Sequence, residues 1–311
     1  MKRATVKRAA LALLIVQLFG VTLCAGATRA KESARAASVL SFEEALGRVW
    51  SRRDEAAARP CDETDEVSRR ILREYGAVFM VGEAVTPPPV CVFPGAPEVE
   101  AFQAGARSVA ANVGGVSVEL QPAAMRALLA AREEALAEGL DITPRDGAEA
   151  ARRSYADTVR LWESRLLPAL EHWRRQGKLT AEEAARVRAL TAREQVRAVL
   201  ELEGRGIFFS RDFTKSILNS VSAPGASQHL SMLAFDVSEY ADARVRAVLA
   251  RHGWFRTVRG DAPHFTYIGL GEGRLPSRGL KKVTTWEGEF WVPNVFDGQR
   301  QSPWMVNAAQ K

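Results

Sequence analysis

Ala223-Pro224-Gly225-Ala226-Ser227-Gln228-His229-Leu230-Ser231-Met232-Leu233-Ala234-Phe235-Asp236 joins a turn, an apolar run, an imidazole and a carboxylate. The Pro, Gly and small residues at its start predict a loop. Met232 to Phe235 is apolar and ends on an acid. Working outward, Ala241 to Arg251 has helical periodicity, and Phe265–Leu270 and Phe290–Val292 have strand composition. His264 opens the first of these strands, and Asp261 stands three residues before it.

Upstream, the chain from about 148 to 219 is dominated by helix. Tyr155, Leu161, Trp162, Leu166, Leu167, Leu170 and Trp173 recur at helical spacing and predict a core face, and Thr180-Ala181-Glu182-Glu183 has the capping-box pattern. Val116–Leu120 alternates as a strand and leads into a helix from about Pro122 to Glu138, with Met125, Leu128, Leu129 and Leu136 as its expected buried side. Leu140–Ile142 is expected to be a short strand. Nearer the start, Ser41-Phe42-Glu43-Glu44 predicts a helix start, Asp65 to Tyr75 a second helix, and Val78–Val81 and Val90–Phe93 two short strands around Pro87-Pro88-Pro89. The pattern is α+β: a small antiparallel sheet, several helices, and a long helical insertion at about 156–219. It divides into an N-terminal α/β region over 41–115 and a second region over 116–311.

The chain has 311 residues and a formal charge of +6. Lys2, Arg3, Lys7 and Arg8 crowd the first eight residues; without them the net charge falls to about +2, so charge argues against a nucleic-acid partner. Residues 1–27 read as a secretory signal: a basic start, the apolar run Ala9–Val16 resumed to Leu23, and Ala25-Gly26-Ala27 as a cleavage site. The run is short and interrupted by Gln17, so cleavage is expected rather than a stable membrane span, and Leu23 before Cys24 argues against lipidation. Residues 28–40 are small and polar, a flexible leader. Loss of Cys24 with the signal leaves Cys61 and Cys91, which in an exported chain predict a disulfide. The expected location is periplasmic or extracellular.

Chemistry is concentrated in the histidines, of which there are four: His172, His229, His252 and His264. His229 and His264 fall in the two loop-to-strand segments, each with an aspartate nearby. Two imidazoles and one carboxylate can hold Zn²⁺ and leave a fourth position for water, and a carboxylate outside the ligand set can take a proton from that water. His172 lies on the Trp-rich helix and His252 at a helix end, where a cation suits the dipole.

The stretch around Ser227, His229, Ala234 and Asp236 resembles the S-x-H-x-x-G-x-A-x-D pattern of zinc D-alanyl-D-alanine carboxypeptidases and dipeptidases, a family that also includes lysostaphin-type and hedgehog-type folds. Asp261-Ala262-Pro263-His264 resembles that family's E-x-x-H element. The resemblance covers roughly 120–155 and 220–270. It implies that His229, Asp236 and His264 are zinc ligands and that Asp261 is the general base. It also implies a substrate-carboxylate arginine, for which Arg145 is the first candidate and Arg153 the second, and a supporting role in the substrate site for Ser227. The implied activity is hydrolysis of peptidoglycan stem peptides by a D,D-carboxypeptidase; a stem-peptide endopeptidase and a non-catalytic cell-wall-binding module are the alternatives. Two departures stand out. Met232 occupies the glycine position and is expected to reshape the turn. Asp261 is one methylene shorter than glutamate.

Overall fold

The structure, a computed structural model, describes residues 40–53, 60–62 and 64–295. The expected signal at 1–27 and all of the leader except Leu40 lie outside the described residues. Among the described residues no helix is long and apolar enough to cross a membrane.

Helix α1 (Phe42–Arg53) starts at the expected capping box: Ser41 N–H donates to Glu44 Oε2 and Glu44 N–H to Ser41 Oγ. Helix α2 (Glu66–Tyr75) is capped by Asp65, whose carboxylate accepts from Ser68 N–H. Its apolar stripe of Val67, Ile71 and Leu72 is buried. The next segment, Gly76–Met80, is a fully buried 3-10 turn rather than the expected strand. Two-residue alternation has no meaning where both faces are buried, and so the strand signal there was a core signal. Val90–Phe93 is also not a strand. It is held in irregular conformation by Cys91 N–H donating to Pro60 O, Phe93 N–H donating to Gly225 O, and the Cys61–Cys91 disulfide. That disulfide joins the segment before α2 to this one.

Helix α3 (Ala96–Ala106) precedes the hairpin β1 (Val109–Val113) and β2 (Val116–Leu120). Helix α4 (Pro122–Ala137) follows, and its buried face is alanine-rich: Ala124, Met125, Leu128, Ala131 and Ala135 are covered, whereas Leu129 is 39% and Leu136 50% exposed. Close packing against this helix selects small side chains and turns the two expected leucines outward. Leu140–Ile142 forms no strand; the chain there makes a single bridge, Pro144 to Val237.

The expected helical segment is α5 (Tyr155–Arg175), α6 (Ala181–Ala189) and α7 (Ala192–Glu203), each begun by a reciprocal capping box at Ser154, Thr180 and Thr191. Trp162, Leu166, Leu170, Val196 and Val199 are buried in the same core cluster as Phe42 and Leu280, and so one core runs through the described chain and across residue 115. Trp162 Nε1–H donates to Gln195 Oε1, tying α5 to α7.

The site is carried by a three-stranded antiparallel sheet in the order β3 (Ala234–Asp236), β5 (His264–Tyr267), β4 (Trp254–Phe255), with helix α8 (Ala243–Arg251) between β3 and β4 in the chain. The last hairpin, β6 (Leu280–Thr285) and β7 (Gly288–Pro293), closes the described fold. Among the described residues, eight α-helices and small antiparallel sheets make this an α+β fold, as the sequence pattern predicts.

Candidate metal centre

His229, Asp236 and His264 come together as a buried group. Three local structures deliver them. His229 lies on a 3-10 turn, Gln228–Ser231, capped by Ser227, whose Oγ accepts from His229 N–H. Asp236 ends β3 and His264 begins β5, and the antiparallel register makes the two direct cross-strand partners. Opposite residues on one face of such a pair have their Cβ atoms about 4.5–5.5 Å apart, so two ligands there can share one ion.

The converging atoms form a nearly equilateral triangle. His229 Nε2 lies 3.1 Å from His264 Nδ1, and Asp236 Oδ1 lies 3.1 Å from His264 Nδ1 and 3.3 Å from His229 Nε2. Nitrogen and oxygen ligands at about 2.0–2.1 Å around a tetrahedral ion sit about 3.3 Å from one another. The outward nitrogens decide the tautomers. His229 Nδ1 is 2.8 Å from Ala151 O, which can only accept, so the proton sits on Nδ1. His264 Nε2 is 2.8 Å from Gln228 Oε1, and Gln228 is oriented by its own Nε2–H donating to Tyr75 O. Thr266 Oγ1–H also donates to Gln228 Oε1. With both outer nitrogens donating, three acceptor atoms face one point, an arrangement that a cation satisfies. The donor set therefore fits a metal ion.

Electrostatics points the same way. Burial, reinforced by the nearby Arg153 guanidinium, pushes the His229 pKa down to about 4, so its imidazole is neutral at physiological pH. Burial opposes charge on Asp236, but His229 and His264, when they carry protons toward it, prevail through charge and hydrogen bonding and hold its carboxyl well below the usual range. The second carboxylate oxygen, Oδ2, accepts from Arg153 Nη2–H at 2.6 Å, while Arg153 Nε–H donates to Glu149 O. Gln103 Nε2–H donates to both Arg153 O and Leu230 O, bracing the arginine and the 3-10 turn together.

The remaining sequence candidates fall around this centre in different ways. Arg153 is engaged with Asp236 rather than left open. Arg145 donates its backbone N–H to Asp236 O, and its half-exposed side chain lies over the Tyr240 ring and near Asp146. Asp261 caps the turn into β5, accepting His264 N–H on its backbone oxygen. Asp261 is exposed, yet loss of solvation around its carboxyl, with Asp236 adding repulsion against the pull of His264, Arg153 and Arg145, raises its pKa to about 6. Asp261 is not among the converging atoms. Its carboxylate makes no hydrogen bond among the described residues. Of the other histidines, His172 stacks on Phe213 at 4.1 Å and His252 pairs with Glu134 at 2.6 Å.

Met232 does not abolish the turn. It adopts a left-handed backbone, φ 56° and ψ 32°, with its side chain fully buried, so methionine takes a conformation usually left to glycine at a cost of about 1–2 kcal/mol. Gly225 is a position where only glycine fits: its φ is +79°, and a Cβ there would run into the Phe93 carbonyl. Its N–H donates to Thr158 Oγ1, so α5 braces the loop leading to His229.

Sequence reasoning missed Gln228, Thr266, Gln103 and the Ala151 carbonyl. Thr266 was within reach, because period two puts it on the same strand face as His264. Gln228 was marked only by adjacency to His229. Nothing local signalled Gln103 or Ala151.

No protein-family model matches the chain, and no curated protein matches it significantly.

Proposed function

We propose that the protein is an exported zinc peptidase acting on peptidoglycan stem peptides, most simply a D,D-carboxypeptidase. The observation that carries this reading is the triangle of His229 Nε2, Asp236 Oδ1 and His264 Nδ1, whose edges of 3.1–3.3 Å suit three ligands of a four-coordinate ion. Bound Zn²⁺ supplies Lewis-acid polarisation of a scissile carbonyl and acidification of water.

The chain's own groups supply the rest. Gln228 and the Ala151 carbonyl hold the two imidazoles in one tautomer, and Arg153 Nη2–H holds the second oxygen of Asp236. Asp261, with its pKa near 6, is ionised at neutral pH and sufficiently basic to take a proton from water and return it to the leaving amine. Arg145, whose guanidinium has no strong carboxylate partner and shares the field of Asp261, is the residue to receive a substrate's terminal carboxylate. Export is supported by the signal-like start and by the disulfide.

The test is to purify the chain with zinc, measure metal per chain, and incubate it with a pentapeptide muropeptide, following free D-alanine and product masses. One zinc per chain with release of terminal D-alanine, abolished in His229→Ala, supports the proposal. Cleavage inside the stem makes it an endopeptidase. Zinc binding with no turnover in either wild type or Asp261→Glu overturns the enzyme reading and leaves a cell-wall-binding module, the outcome that the shorter Asp261 side chain favours.

A further inference from the structure

On the face of β5 turned away from the triad lies a second hollow. Side chains alternate along a strand, so His264 and Thr266 face Gln228 while Tyr267 faces the other way. The hollow has a volume of about 280 Å³, and Glu83, Tyr267, Leu270, Arg274 and Arg278 are on its wall. It contains no member of the metal triad.

Two arginines share this wall. Several other arginines of the chain are matched to an acid: Arg70 to Glu74, Arg132 to Asp141, Arg153 to Asp236. Neither Arg274 nor Arg278 has an ion pair or a side-chain hydrogen bond among the described residues. Arg278 is half-buried, and burial together with the like charges of Arg274 and Arg52 depresses its pKa, against the single opposing influence of Glu83. Like charges gathered in a concave, partly dry place are unfavourable by themselves and become favourable when an anion joins them. The guanidinium fork matches the planar oxygens of carboxylate and phosphate. The rest of the wall suits an apolar body: Leu270, Val85 and the Tyr267 ring, which Gly269 admits because a Cβ at that position would press on the ring at 3.1 Å.

We propose that this hollow is a binding site for a small ligand carrying a carboxylate or phosphate oxyanion, held by Arg274 and Arg278 with its body against Tyr267 and Leu270. The site stands apart from the metal centre and does not depend on the peptidase reading.

The test is calorimetric titration of the full chain, stripped of metal and at constant ionic strength, with inorganic phosphate in one arm and N-acetylalanine in the other. The expected result is saturable one-to-one binding of at least one probe, with the tighter arm naming the oxyanion. Arg274→Gln and Arg278→Gln should each weaken it about tenfold or more, as loss of a charge-assisted hydrogen bond does. Arg186→Gln removes the same charge from an exposed helix position and should leave binding unchanged. Arg274 is exposed, so its variant keeps the fold and the test stays decisive if Arg278→Gln does not fold. No saturable binding in either arm, or equal weakening by Arg186→Gln, overturns the proposal.

Discussion

Asp236 and His264 are cross-strand partners, 28 residues apart in sequence and directly opposite in the β3–β5 register, with Oδ1 and Nδ1 3.1 Å apart. A slip of one residue would send one of the two side chains to the other face of the sheet and destroy the group. The register is therefore what makes two isolated residues a pair, and Val237 N–H donating to Pro263 O and Tyr267 N–H donating to Leu233 O fix its two ends.

Zinc should bind the triad and stabilise the fold. At a free concentration a hundredfold above Kd the gain is about 2.7 kcal/mol, read as a Tm rise of several degrees. His229→Ala and His264→Ala should abolish the rise. Gln228→Leu removes the acceptor that orients His264 and should weaken zinc binding about 10–100-fold. If Gln228→Leu lowers the Tm of metal-free protein yet leaves zinc affinity intact, its role is packing alone.

Hydrolysis should depend on the ionised form of Asp261. Because its pKa is raised to about 6, kcat/KM should climb as pH rises through about 6 and level off above it. Asp261→Asn should lose about a hundredfold or more and lose that limb. Persistence of the limb in Asp261→Asn would assign the base to another group.

Glu203 offers a stability test remote from the metal. It is buried, its Oε1 accepts Ile217 N–H at 2.6 Å, and burial raises its pKa to about 7. A carboxyl raised on folding contributes stability that is fully present below about 4.5 and lost as pH rises through 7. Glu203→Gln removes that titration, so its Tm relative to wild type should climb between pH 4.5 and 7.5, over a range equivalent to about 3 kcal/mol. In metal-free protein His229 works in the opposite sense: its pKa is depressed to about 4, so its contribution is complete above 6.5 and lost on acidification. The wild-type curve should be flatter across pH 5–7 than that of either Glu203→Gln or metal-free His229→Gln. A constant Tm difference for Glu203→Gln across the range would place the Glu203 pKa in the ordinary region.

Reduction of Cys61–Cys91, or the double change to alanine, should cost about 3–4 kcal/mol, since the bond closes a loop with a sequence separation of 30. Denaturant melts of oxidised and reduced protein give the difference directly. An unchanged midpoint would mean that Pro60, Cys91, Phe93 and Gly225 hold the segment through backbone hydrogen bonds alone.

Short-range signals were legible from the sequence where they had a local cause. The capping boxes at Ser41 and Thr180, the stripe of α2 and the alternation of β2 each depend on residues within a few positions, and each appears as read. The errors share a cause as well. Gly76–Met80 and the alanine face of α4 are set by what packs against them, and residue type alone does not reveal a neighbour's size.

The sequence by itself determined the chemical types available: two imidazoles and an acid ahead of or within apolar strands, three cysteines, and helices whose starts are written in their caps. Tertiary structure alone decided that Asp236 faces His264, that Ala151 and Gln228 take the outer imidazole protons, that Arg153 grips Asp236 instead of standing open, and that Arg274 and Arg278 meet in a second hollow. The physical reason is that strand register and long-range hydrogen bonds arise from segments tens of residues apart, and spacing along the chain carries no record of which of them will meet.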